Sequence, residues 1–109
     1  MIRHIVWWTL KEHAKGKSLA VNLEHIKAMS AELHGMPCVH TIEISAKTLP
    51  SCTVPCQLVL TTTHKTMDDL EAYRINPVHV QFAEKLKEYV TSRDCIDFSF
   101  EPSLELGNP

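Results

Sequence analysis

Ile2-Arg-His-Ile-Val-Trp-Trp-Thr-Leu10 constrains this chain more than any other segment. Its β-branched, aromatic and aliphatic residues suit an extended strand. Side chains alternate across a strand, so Ile2, His4, Val6 and Trp8 share one face while Ile5 and Trp7 share the other. Apolar groups on both faces need cover on both. The chain has 109 residues, enough for one domain, expected over 1–101 with a polar tail over 102–109. A domain of this size buries only about two-thirds of its unfolded surface. A second copy of the chain is therefore a natural cover for one strand face.

Cover for the other face comes from helices. Ser18 to His34 carries Leu19, Leu23, Ile26, Met29 and Leu33 at three- and four-residue spacing, a single apolar stripe. Ser18 suits the N-cap and Gly35 the C-cap, with Pro37 just beyond. Lys11 to Lys17 is polar and reads as a loop. Strands are expected over Val39–Lys47 and Cys56–Thr63, with a turn over Thr48–Pro55 between them. Thr66 caps a short helix over Met67–Arg74, with Asp69 three residues after the cap. Asn76-Pro77 then breaks and restarts the helix, because asparagine suits an N-cap and proline the first helical position. Val78, Phe82, Leu86 and Tyr89 or Val90 form the next apolar stripe, and Asp94–Glu101 is the expected last strand.

The order is β-α-β-β-α-β, an α+β, ferredoxin-like plan whose second helix is broken at Asn76-Pro77. Four antiparallel strands with helices on one face leave the other face bare. Two such sheets packed face to face give a homodimer, a dimeric α+β barrel.

Charge and composition narrow the function. The net charge is −2 and the basic residues are scattered, which argues against a nucleic-acid footprint. The longest apolar run falls far short of the roughly 20 residues a membrane span needs. The start of the chain shows no apolar leader with a small-residue cleavage site, so the expected compartment is the cytoplasm. There Cys38, Cys52, Cys56 and Cys95 are expected as thiols. Cys52 and Cys56 could ligate zinc with His40 or His64, yet no second pair follows at structural-zinc spacing. The expectation is no metal and no cofactor. The three glycines are isolated, which argues against a phosphate-binding loop.

Several pieces, taken in order, resemble the stress-responsive A/B-barrel (Dabb) family. They are His4-Ile-Val-Trp-Trp8, the helix after a polar loop, Val39 to Ile44 after Met36-Pro37, Leu58-Val-Leu-Thr61, Asp68-Asp-Leu-Glu-Ala-Tyr73, Asn76-Pro-Val-His79 and Cys95-Ile-Asp-Phe98. The resemblance covers nearly the whole chain and implies a homodimeric α+β barrel with its helices outside. One branch, the plant polyketide cyclases, uses the tyrosine and last histidine of a Tyr-x2-His-Pro-x-His segment, with a strand-one histidine nearby. Carried over residue by residue, that implies roles for Tyr73, His79 and His4. This chain departs with Asn76 before the proline, where the family usually has histidine. It also has Pro55-Cys56-Gln57 where an aromatic-Asp pair often enters the third strand.

The chemistry of these side chains points the same way. His79, at a helix start, feels the positive end of the macrodipole, which favours a neutral imidazole able to act as a base. Tyr73 can donate a hydrogen bond to a carbonyl or an enolate. His4 can orient His79 or hold a water. Val6, Trp8, Phe82 and Leu86 are expected around them as an apolar pocket for a small apolar or aromatic ligand. Three readings stand side by side. The first is a domain with a structural or stress-protective role and a ligand pocket. The second is a cofactor-independent cyclase or isomerase working through His79 and Tyr73. The third is a barrel monooxygenase of the antibiotic-biosynthesis type. Of the other histidines, His13, His25, His34 and His64 have mostly polar neighbours and are expected to be exposed. His40 is expected to be packed on the apolar side of its strand.

Overall fold

Strand β1, Ile2–Leu10, lies inside a four-stranded antiparallel sheet, next to one edge. The computed structural model describes residues 1–101, and the tail expected over 102–109 lies outside them. The other strands of the sheet are β4 (Thr41–Ser45), β5 (Leu58–His64) and β6 (Val90–Ser99), in the order β4-β5-β1-β6. Burial along β1 alternates without exception: Ile2, His4, Val6, Trp8 and Leu10 are buried, while Arg3, Ile5, Trp7 and Thr9 are half-buried. The period of two read from the sequence therefore decides which face meets the helices.

Three helices cover the buried face. Helix α1 (Leu19–Met29) starts at Ser18, whose hydroxyl accepts from the Val21 N–H at 3.4 Å. It tightens into a 3-10 turn over Ser30–Leu33, so the apolar stripe continues through a change of helix type. Gly35, with φ of +86°, then reverses the chain in a conformation a side chain would strain. Helix α2 (Met67–Ile75) is capped by Thr66, which accepts from the Asp69 N–H at 3.1 Å. Asn76 ends α2 and caps α3 (Pro77–Leu86), its side chain accepting from the Val78 N–H at 2.9 Å. The core they enclose with the sheet centres on Ile26, Leu33, Leu58, Leu60, Tyr73, Phe82 and Leu86, each no more than 2% exposed. The fold is the ferredoxin-like α+β plan, and no described helix is long and apolar enough to cross a membrane.

Two stretches differ from expectation. The polar segment after β1 folds into a miniature hairpin, β2 (His13–Ala14) against β3 (Lys17–Ser18). Helix α3 stops at Leu86 and β6 begins at Val90, four residues earlier than the sequence suggested. Val90 fits a helical stripe by its spacing from Leu86, but its backbone pairs with Leu10. Its strand is an edge, exposed from Thr91 to Ser99, so it carries no alternating apolar pattern to announce it. The sheet face away from the helices presents Ile5, Trp7 and Val59 at its middle and Ile96 and Phe98 beside them, 48% and 40% exposed.

Candidate functional site

Register places the first imidazole. His4 is buried on β1, opposite Thr62 of β5 and Asp97 of β6. Its Nδ1–H donates to the Asp97 carboxylate at 2.5 Å. With Nδ1 held there, Nε2 has no hydrogen-bond partner among the described residues. Asp97 is 44% exposed, so this carboxylate connects a buried imidazole to solvent.

The helix break places the second. His79 stands two residues after Pro77, in the first turn of α3, and its Nδ1–H donates back across the break to the Arg74 carbonyl at 3.1 Å. Burial is the largest influence on His79 and pushes its pKa below 6.5, with His4, Arg93 and Arg74 adding to the effect and the Arg74 carbonyl opposing it. His79 is therefore a neutral ring near pH 7, again with Nε2 as the free lone pair.

Tyr73 stands against both rings. Its ring centroid lies 4.3 Å from that of His79 and 6.1 Å from that of His4. Its side chain is fully buried, and its hydroxyl has no hydrogen-bond partner among the described residues. Burial also pushes the phenol well above its ordinary pKa, so the hydroxyl keeps its proton and remains a donor. Leaving such a group unpartnered costs about 1–3 kcal/mol.

A cavity of about 490 Å³ opens beside the two imidazoles. His4, Val6, Trp8, Leu60, His79, Phe82 and Leu86 line its interior, with Lys87 and Arg93 also on its wall. A second hollow of about 430 Å³ shares His4, His79 and Arg93 with it and adds Glu71, Arg74, Cys95 and Asp97. His4 and His79 thus face common space together with Val6, Trp8, Phe82 and Leu86. Tyr73 does not line either hollow; it stands one ring behind.

Sequence reasoning missed a third histidine. His64, expected to be exposed, is fully buried. Its Nδ1–H donates to the Cys38 carbonyl at 2.7 Å, and its Nε2 accepts from the Thr62 hydroxyl at 2.8 Å. Its ring lies 5.2 Å from that of Tyr73. Burial lowers its pKa more than the Cys38 carbonyl raises it. The signal was present in β5: Leu58, Leu60, Thr62 and His64 share one parity, and the two leucines identify it as the core face. His40 departs in the other direction. It precedes β4 and is exposed, because its strand begins one residue later.

Among the described residues, the donor atoms of His4, Cys95 and Asp97 lie within 4.8 Å of one another, a set that could hold a zinc-like ion. Cys52 and Cys56 do not form such a set with a histidine. His64 has both nitrogens occupied, and the Cys56 thiol is pushed up, first by burial and then by Cys52.

The sequence model for the stress responsive A/B barrel domain matches residues 2–100. Among curated proteins, none matches the sequence. Similar solved structures include a dabb family protein with a ferredoxin-like fold from Mesorhizobium loti, 20% identical, with a TM-score of 0.72 over 92% of this chain and 96% of that one. A dimeric protein of ferredoxin-like fold from Bacteroides fragilis is 22% identical, with a TM-score of 0.72 over 91% and 95%. The hydroxynitrile lyase from Passiflora edulis is 15% identical, with a TM-score of 0.73 over 92% and 93%. At these identities the likeness establishes the fold.

Proposed function

This chain belongs to the stress responsive A/B barrel domain family, and from that membership we propose a homodimer in which each protomer binds a small apolar or aromatic carbonyl compound and moves a proton on it without a cofactor. One observation carries the reading. Two imidazoles, His4 and His79, each have Nδ1–H tied to the protein and Nε2 without a protein partner beside one apolar cavity, and burial keeps His79 below 6.5. A neutral imidazole near pH 7 is suited to general-base work.

In this reading His79 Nε2 takes the proton from the carbon next to the carbonyl, and the C–H electron pair passes into an enolate. Tyr73, which lines neither hollow, packs 4.3 Å behind the His79 ring and holds that base in place. The enolate carbon then attacks a second carbonyl of the same molecule, and the new alkoxide takes the proton back from the His79 imidazolium. His4, held by Asp97, orients the ligand. Exchange of the α-hydrogens of acetophenone in D2O, followed by proton NMR, tests the first step. The expected result is exchange faster than in buffer, falling to the buffer rate in His79→Ala. Exchange unchanged by this substitution overturns the reading. The base must be neutral and its pKa lies below 6.5, so the rate should hold on the alkaline side and fall only at pH below that value.

Dimerisation rests on Ile5, Trp7, Val59, Ile96 and Phe98 on the open sheet face, and on the dimeric neighbours of the same fold. Light scattering should give twice the 12.4 kDa chain mass. Trp7→Glu should dissociate or unfold the protein, because an unpaired charge would be buried there. A wild-type monomer at micromolar concentration refutes the dimer.

A further inference from the structure

We propose that the ligand carries a carboxylate and that Arg93 is its anchor. The inference rests on the reading of the cavity as a ligand site and names the class of compound it takes. Arg93 lies opposite Trp8 in the β1–β6 register and lines both hollows, so its side chain stands where they meet. The charged side chains around it are already matched. Lys87 pairs with Glu84 at 3.0 Å, Arg74 with Glu71 at 3.1 Å, and Asp97 accepts from His4. Arg93 alone of that set has no ionic partner among the described residues. Asp94, its neighbour in sequence, alternates onto the other face of the sheet, opposite Trp7.

A planar guanidinium offers a carboxylate two parallel hydrogen bonds. Beside an apolar wall that contact is screened less than on open surface. With Lys87 and Arg74 both occupied, the site offers one free positive charge, which matches a monoanionic carboxylate rather than a doubly charged phosphate. The same charge contributes to the lowered pKa of His79, so it acts within electrostatic reach of the proposed base. The ligand class is then an aromatic or aliphatic oxo acid, its hydrocarbon part against Trp8 and Phe82, its carbonyl at the imidazoles and its carboxylate at Arg93.

Calorimetric titration with 3-benzoylpropanoate and with its methyl ester tests this, because the two share ring and ketone and differ in charge. The wild-type protein should bind the acid about tenfold more tightly than the ester, the effect of one charge-assisted contact. Arg93→Gln should bring the acid down to the ester's affinity and leave the ester unchanged. Arg93→Lys, which keeps the charge without the fork, should retain part of the preference. Arg93 is on an exposed strand, so melting temperatures should agree and confirm that the variants fold. Equal binding of acid and ester by the wild type, or a preference that survives Arg93→Gln, overturns the anchor while leaving the cavity a ligand site. Binding of neither compound at millimolar concentration overturns the cavity reading and the anchor with it.

Discussion

Tyr73 is flanked by two histidine environments that differ in one respect. On one side His64 has both nitrogens occupied by the protein, one by the Cys38 carbonyl and one by the Thr62 hydroxyl. On the other, His4 and His79 each have one nitrogen held and one free beside a cavity. All three rings belong to the same layer between helices and sheet. Burial alone does not account for the difference, since His4 is nearly as enclosed as His64. What separates them is whether the second nitrogen is already matched. A matched ring is a joint between elements, and an unmatched ring beside open volume is available to a ligand.

The contrast can be broken most visibly at its closed end. His64→Ala should cost about 3 kcal/mol of stability, from the void and the two backbone and side-chain groups left without partners. A denaturant midpoint unchanged in this variant would mean that the two sides do not differ. Tyr73→Phe should move the other way. Removing a buried hydroxyl with no partner should raise stability by up to about 1 kcal/mol. A clear loss of stability in that variant would reveal a partner for the hydroxyl. His79→Ala should cost only about 0.5 kcal/mol, because its single hydrogen bond is exposed. A loss near that of His64→Ala would make His79 a joint as well.

The finest distinction lies in pH. His64 and His79 both have folded pKa values below the ordinary 6.5. Just below 6.5 the unfolded chain therefore binds more protons than the folded one, and stability rises with pH through that window. The contribution is fully present above about 6.5 and is lost as pH falls through the folded values. His64→Gln should flatten this acid limb in thermal melts from pH 7 to pH 5. An unchanged slope would place the titrating group elsewhere.

Much of the scaffold was legible because it rests on local rules. Alternation in Ile2–Leu10 gave both faces of β1, and Asn76-Pro77 gave the junction of α2 and α3. His4 and His79 could be singled out because each sits at a position the local pattern defines. His64 was misread because its sequence neighbours Thr63 and Lys65 are polar, and polarity along a strand says nothing about which face a residue occupies. The start of β6 was misread because an edge strand exposed on both sides has no apolar period. Asp97 and Arg93 were invisible as site residues for a related reason: their roles come from register with His4 and Trp8, which is a long-range property.

That long-range register also sets a schedule. Ile2 pairs with His64 on one side and Ser99 on the other, so β1 is synthesised well before either partner strand. Elongation proceeds at about 5–20 residues per second. For several seconds the ribosome therefore carries Ile5, Trp7 and Trp8 on a strand with two unsatisfied edges. Pairings of this separation close slowly once the chain is free. His4 and Asp97, 93 positions apart, can meet only when nearly all of the domain has emerged. A nascent chain stalled before β6 would hold three of the four strands, with one edge of β1 open and His4 without its Asp97 partner.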